Sequence, residues 1–297
     1  MRTSVLLALV PAVQGLRIIH SNDDGWAELY TRSFHDVLVA AGHDVVLSAP
    51  AENKSGTGSS DAEPSIRTTA CQYNSCPAGS NSPIGVNATN PRLNWVNSFP
   101  VTSMRYGIDT IAPQFWNGEP PELAVAGPNV GSNLYLQVPF SGTIGSSVFA
   151  SKERKVPAIA FSGVSSGTLP WNTSPVPQRS LVYAQLAGKI VDAVIKGGAP
   201  YLPEDVFLNV NFPKVEGQCT DASKFKFVLS RINLGWFSAP DVQTCGSTRL
   251  PIDLSVVNSS GCYVSISVGD ANDKTTAPAE KQAVVLAKLK SLLTCLP

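Results

Sequence analysis

Charge is scarce in this chain. Only 15% of its 297 residues are charged, and 22 Lys plus Arg balance 22 Asp plus Glu, so the formal net charge is zero. With no basic face or arm, the sequence excludes a nucleic-acid polymer held by phosphate neutralisation. Histidine is scarcer still. His20 falls on the first strand-like run, and His35 and His43 flank the first helical one, so all three read as structural groups rather than catalytic ones. The six cysteines lack the paired C-x-x-C spacing of a zinc site. No apolar run reaches transmembrane length, which argues against a membrane partner. A G-x-G-x-x-G stretch is missing after the first strand. There "NDDGWAEL" places acid where a dinucleotide pyrophosphate would sit, so a dinucleotide-dependent oxidoreductase is set aside.

What is present begins with a leader. "MRTSVLLALVPAVQG" has one early Arg, a short apolar run and then small residues, the layout of a secretory signal cut after Gly15. A secreted, extracellular protein is therefore expected, with disulfides among Cys71, Cys76, Cys219, Cys245, Cys262 and Cys295. Cys71 and Cys76 are close enough for a local staple, and the other pairings stay open. Glycosylation sequons stand at Asn53, Asn87, Asn172 and Asn258. The 23 Gly and 23 Pro imply long ordered loops between compact elements.

Beyond the leader, strand-like and helix-like runs alternate. "LRIIHS", "DVVLSAP", "WVNS", "ELAVAGPN", "VPAIAFSG" and "DVFLNVNFP" read as strands. Helical spacing marks residues 27–41, a helix from near Pro100, "SGTIGSSVFASKE" and the amphipathic run from Val176 to Gly198. The stretch 51–92 is a Ser-, Asn- and Gly-rich excursion. Such alternation specifies an α/β fold, a mainly parallel Rossmann-like sheet with helices on both faces. Residues 16–217 form this core. Residues 218–297 follow as a C-terminal extension, an irregular or β arm and a final helix over 277–293 that packs on the core or on a partner subunit.

"SNDDG" ends the first strand with two adjacent carboxylates in a tight turn. Like charges crowded together call for a compensating cation. Ligands of parallel sheets bind beyond the carboxyl ends of the strands. That edge gathers Asp23 and Asp24 with Ser55, after the second strand, and Asn129, after "LAVAG". All are hard oxygen donors suited to magnesium or manganese, with calcium as an alternative bound ion, one cation per site. Ser141, Gly142 and Thr143 open the next helix, where free N–H groups and the helix dipole favour a phosphate.

These motifs, taken in order, resemble the SurE-like survival protein phosphatases and nucleotidases. The resemblance rests on "SNDDG", "APAENKSG" (49–56), "GPNVGSNL" (127–134), "FSGTIGSS" (140–147), "LNVNFP" (208–213) and "GCYVSIS" (261–267). It covers most of residues 16–270 and implies a metal on Asp23, Asp24, Ser55 and Asn129. Phosphate would sit near Asn133, Ser141, Gly142 and Thr143. It also implies hydrolysis of phosphomonoesters, often nucleotides, as an acid phosphatase or 5'/3'-nucleotidase would perform it, through a metal-activated water with Asp23 and Asp24 as the catalytic pair. Three features depart from the family pattern: "WAELY" after the acidic turn, "SFP" (98–100) in place of Gly-Thr-Pro, and the cysteine-bearing excursion. They alter the pocket wall and leave the metal set untouched. Secretion points to a eukaryotic, fungal-type branch. The family's C-terminal hairpin exchanges between subunits, so a homodimer or higher oligomer is expected. The rival reading is a secreted protein on the same scaffold that binds metal or phosphoester without turnover. Asn53 lies beside Ser55 at the pocket rim, so it should stay bare while at least one of Asn87, Asn172 and Asn258 carries glycan.

Overall fold

In the computed structural model the described residues are 15–297, so the leader expected over 1–15 lies, but for Gly15, outside them. The chain opens with β1 (Arg17–Ser21), α1 (Leu29–Ala40) and β2 (Asp44–Pro50). An excursion carries the short β3 (Ile84–Val86) before β4 (Leu93–Val96), and α2 (Pro100–Tyr106) runs on into a π turn over Gly107–Ile111. There follow β5 (Leu123–Val130), α3 (Gly142–Arg154), β6 (Ala158–Gly163), α4 (Gln178–Lys196) and β7 (Val206–Phe212). The C-terminal part adds β8 (Lys226–Ser230), α5 (Asp253–Asn258), β9 (Tyr263–Asp270) and α6 (Ala279–Leu289).

The nine strands of the described residues form one sheet, ordered β3-β4-β2-β1-β5-β6-β7-β9-β8. From β4 to β7 every neighbour is parallel, while β3 and β9 pair antiparallel with β4 and β7. Side chains of β1 alternate between two cores. Ile18 joins Phe34 of α1 and Ile190 of α4 on one face, and Ile19 joins Met104 of α2 and Ile144 of α3 on the other. Burial on both faces explains why these strands read as nearly continuous apolar runs. The expected mainly parallel sheet with helices on both faces is the architecture found.

Residues 218–297 are more integrated than an arm. β9 lies against β7 and β8 against β9, so the boundary drawn between 217 and 218 falls between strands of one sheet. Period-two alternation builds β9: Val264, Ile266 and Val268 enter the core, while Ser265 and Ser267 face Ser230 Oγ at 3.0 and 2.8 Å. That short signal is isolated between irregular stretches, which hides it in the sequence. α6 packs on α4 and adds Val285 and Leu289 to the core. Disulfides join Cys71 to Cys76, Cys219 to Cys262 and Cys245 to Cys295. The first is the local staple expected. The other two tie the entry of β9 and the C-terminal tail to neighbouring loops.

Topology fixes where a ligand belongs. After β1 the chain builds outward through β2 and β4, then returns to β5 on the other side of β1. The carboxyl ends of β1 and β5 therefore flank the topological switch point.

Candidate active site

The turn after β1 is closed by its own side chains. Asn22 Nδ2 donates to Gly25 O at 3.0 Å and to Thr31 Oγ1 at 2.6 Å. Gly25 takes φ of +104°, a conformation that favours glycine, and a Cβ there would lie 2.2 Å from Gln72 Oε1. This tight turn sets Asp23 and Asp24 side by side, with 2% and 1% of their surfaces exposed.

The two carboxylates are held differently. Thr143 donates twice to Asp23, from Oγ1 to Oδ1 at 2.7 Å and from its N–H to Oδ2 at 3.1 Å. The N-terminus of α3, read from sequence as a phosphate seat, thus receives the protein's own carboxylate. Gly142 makes that approach feasible, since a Cβ at this position would stand 2.9 Å from Asp23 Cβ. Asp24 Oδ2 accepts from Val130 N–H at 2.8 Å. Its Oδ1 has only long contacts, with Ser55 Oγ at 3.4 Å and Asn53 Nδ2 at 3.5 Å.

Burial raises the pKa of Asp23 and raises that of Asp24 well above the usual carboxylate range. For Asp24 the negative charges of Asp23 and Glu28 add to the effect of burial. Nearby hydrogen-bond donors oppose these shifts without cancelling them. The site is therefore short of positive charge.

Neutral oxygens complete the surroundings. Asn129 sits just past a register shift in β5 and donates from Nδ2 to Gly131 O at 2.7 Å, which leaves Oδ1 as an available acceptor. Ser55 is exposed on the loop after β2. Asp23, Ser55, Asn129, Asn133, Phe140 and Ser141 all line one cleft of about 380 Å³. Among the described residues no three His, Cys, Asp or Glu side chains converge as a metal cluster, so a cation here would rest on two carboxylates and neutral oxygens. That donor set fits a hard divalent ion: the two acids supply charge, and Asn129 and Ser55 supply oxygens that cost no added repulsion. Ser141 serves as the cap of α3, its Oγ accepting from Ile144 N–H at 3.1 Å.

Several residues that shape the site were given no role from the sequence, although Asn209 and Asn211 lie within "LNVNFP". Asn209 and Asn211, alternate residues of β7, donate to Asn133 O at 2.9 and 3.1 Å, and Asn211 Oδ1 accepts from Asn133 N–H at 2.8 Å. They pin the Gly-rich loop against the sheet. The signal was two amides on one face of a buried strand, where apolar side chains belong. Glu28 caps α1 by accepting from Tyr30 N–H at 2.6 Å, and burial pushes its pKa up to about 7. His20 and His35 are buried, and burial lowers them to about 3 and about 4. His20 contacts Gly127 O through Nε2 at 2.6 Å, a place in the β5 support and not in the cleft.

Adjacent buried acids at a switch point, backed by a helix N-terminus and rimmed by neutral oxygens, define a doubly wound α/β protein with an oxygen-only ligand site. The family model described as Survival protein SurE matches residues 18–233, and the chain belongs to that family. An acid phosphatase of Yarrowia lipolytica is 34% identical over 282 residues, covering 84% of this chain and 78% of its own. A 5'-nucleotidase SurE of Ehrlichia chaffeensis is 28% identical over 208 residues, 68% of each chain. In fold, the chain is similar to the crystal structure of the SurE protein from Aquifex aeolicus. That likeness has a TM-score of 0.59 at 20% identity and covers 86% of this chain and 93% of the other.

Proposed function

We propose that this protein is a divalent-metal-dependent phosphomonoesterase of the acid phosphatase or nucleotidase type. The observation that carries the reading is the buried Asp23–Asp24 pair beyond β1, with Asp23 lining a small polar cleft and burial raising the pKa of both carboxyl groups. Relatives named acid phosphatase and 5'-nucleotidase support a hydrolase of phosphomonoesters.

Asp23, Asp24, Ser55 and Asn129 would hold the ion, with Mg2+ or Mn2+ the best match to their oxygens. Bound there, it would polarise the phosphoryl group and lower the pKa of a coordinated water. The protein's own groups do the rest. Thr143 fixes Asp23 through both carboxylate oxygens, so Asp23 serves as an immobile charge. Asp24 Oδ1, held only by long contacts, is the freer oxygen and takes the proton of the attacking water. Ser141 and Asn133, which line the cleft beside Asp23, would face the phosphoryl oxygens. Water would add to phosphorus as the ester P–O bond breaks, and the alcohol would leave with the proton that Asp24 took from the water, which returns Asp24 to its carboxylate. Release of phosphate from p-nitrophenyl phosphate, assayed with Mg2+ or Mn2+ and again with chelator, tests this. Binding of the ester without release in any metal would instead support a binding protein on the same scaffold.

Two further properties belong to the same reading. Three disulfides support residence in an oxidising compartment, hence secretion. The bare aromatic pair Trp236 and Phe237, 79% and 100% exposed, supports a homo-oligomer in which that loop meets a second copy.

A further inference from the structure

Phe140 stands in the wall of the cleft with 67% of its surface exposed. It ends the 3-10 turn Tyr135–Phe140 and directly precedes the Ser141 cap of α3. Its main chain is clamped, since Phe140 O accepts from Gly58 N–H at 2.9 Å, and Pro139 stiffens the approach. A ring left in water on a fixed backbone keeps a large apolar face unmet.

Phe140 is the one aromatic side chain among the lining residues, and none of them is Lys or Arg. The cleft therefore has no cation of its own to grip a leaving group by charge. What it offers is one π face, with the amide of Gln137 and the hydroxyl of Ser132 at the same rim. A volume of about 380 Å³ lies at the small end of ligand cavities and admits a single compact ester.

We propose that Phe140 is a specificity residue. Its ring stacks on the planar aromatic part of the alcohol, a nucleobase or an aryl group, and so selects aromatic monophosphate esters over aliphatic ones. Base–aromatic stacking tolerates variation in the base, because every base presents a π face. This inference rests on the phosphomonoesterase reading and names the substrate class for that site.

The test reads a ratio. Wild type, Phe140→Ala and Phe140→Tyr are assayed with Mn2+ on AMP, p-nitrophenyl phosphate and glycerol 3-phosphate. In Phe140→Ala the kcat/KM preference for either aromatic ester over glycerol 3-phosphate should fall about tenfold, mainly through KM, and Phe140→Tyr should restore it. A preference that stays within about twofold of wild type in Phe140→Ala overturns the proposal, since stacking is worth more than that. If wild type hydrolyses none of the three esters with Mg2+, Mn2+ or Ca2+, the hydrolase reading fails on its own. Stacking is then read from affinity, as tighter binding of AMP than of ribose 5-phosphate. Loss of that difference in Phe140→Ala supports the proposal, and its absence in wild type sinks it.

Discussion

Asp23 and Asp24 are neighbours in sequence and unlike in role. Asp23→Asn keeps one of the two acceptors that Thr143 uses and removes one charge, so excess Mn2+ should recover part of its activity. Asp24→Asn also removes the proposed base. It should lose about 10²–10³-fold in turnover at every Mn2+ concentration, a range typical of lost catalytic electrostatic groups. Metal titration of phosphatase activity separates the two; equal rescue of both variants would sink the division of labour. The same charges shape stability in chelator. Asp24, raised well above its usual range, and Glu28, near 7, bind protons in the folded state that the unfolded chain releases, so Glu28 adds stability as pH falls through about 7 and Asp24 acts in the same sense. His20 and His35, lowered to about 3 and about 4, act in the opposite sense: below pH about 6.5 the unfolded chain takes up protons that the fold refuses. Above pH about 6.5 the raised acids act unopposed, so the melting temperature in chelator should fall as pH rises from 6.5 to 7.5; a melting temperature that climbs over this range would contradict this. The order of the candidate donors could be read in the sequence because Asp23, Asp24, Ser55 and Asn129 each lie near or beyond the carboxyl end of a strand. Thr143's service to Asp23 was not, since only the fold reveals that a helix N-terminus meets a carboxylate of its own chain.

Helix α3 and the loop after β2 are the two elements that bring the acids to working geometry. Thr143→Val is close to isosteric and removes the hydroxyl that donates to Asp23 Oδ1 at 2.7 Å. Loss of such a supporting bond commonly costs about 10–100-fold in metal affinity, so calorimetric Mn2+ titration should show a drop of that order with the melting point little changed. Unaltered affinity would mean that the α3 N–H alone orients Asp23. On the β2 loop, Asn53 Oδ1 accepts from Ser55 N–H at 2.8 Å, and its amide leans on Asp24. A glycan on Asn53 Nδ2 would crowd the contact with Asp24 and the cleft rim, so glycopeptide mapping of active secreted protein should find Asn53 bare and at least one of Asn87, Asn172 and Asn258 occupied. Full occupancy at Asn53 in an active preparation would refute this loop's part in the site. At this scale the sequence was readable wherever a strand or helix is buried on a full face: "DVVLSAP" is β2 residue for residue. β3 and β8 escaped notice because they are short outer strands, and the π turn after α2 because its residues carry ordinary helical spacing.

At the scale of the whole molecule, the stretch between β8 and α5 is the part least explained by a single chain. Its base is rigid. Arg231 and Asp241 form an ion pair with side chains 2% and 3% exposed, and Asp241 also accepts from Gln282 Nε2 at 2.9 Å and Leu250 N–H at 3.0 Å. Cys245 ties the same stretch to Cys295 in the tail. From that fixed base Trp236 and Phe237 project into water. Burying two such side chains is worth roughly 1.5–3 kcal/mol each, a gain that a lone subunit forgoes. Sequence showed the cysteines and turns here, and read them as an arm. The anchoring pair could not be seen, because its partners lie ten residues apart with no periodic pattern to join them. A second copy covering the aromatics accounts for the rigidity and the exposure together. Wild-type protein should then scatter light as a dimer or larger at micromolar concentration. Trp236→Ser combined with Phe237→Ser should weaken that assembly about 100-fold or more, as loss of central aromatic anchors does. The intact Arg231–Asp241 base should hold the loop's fold, visible as an unchanged melting cooperativity. Wild-type protein that remains a monomer at every concentration up to the millimolar range would remove the oligomer from the account and leave these two rings to a different partner.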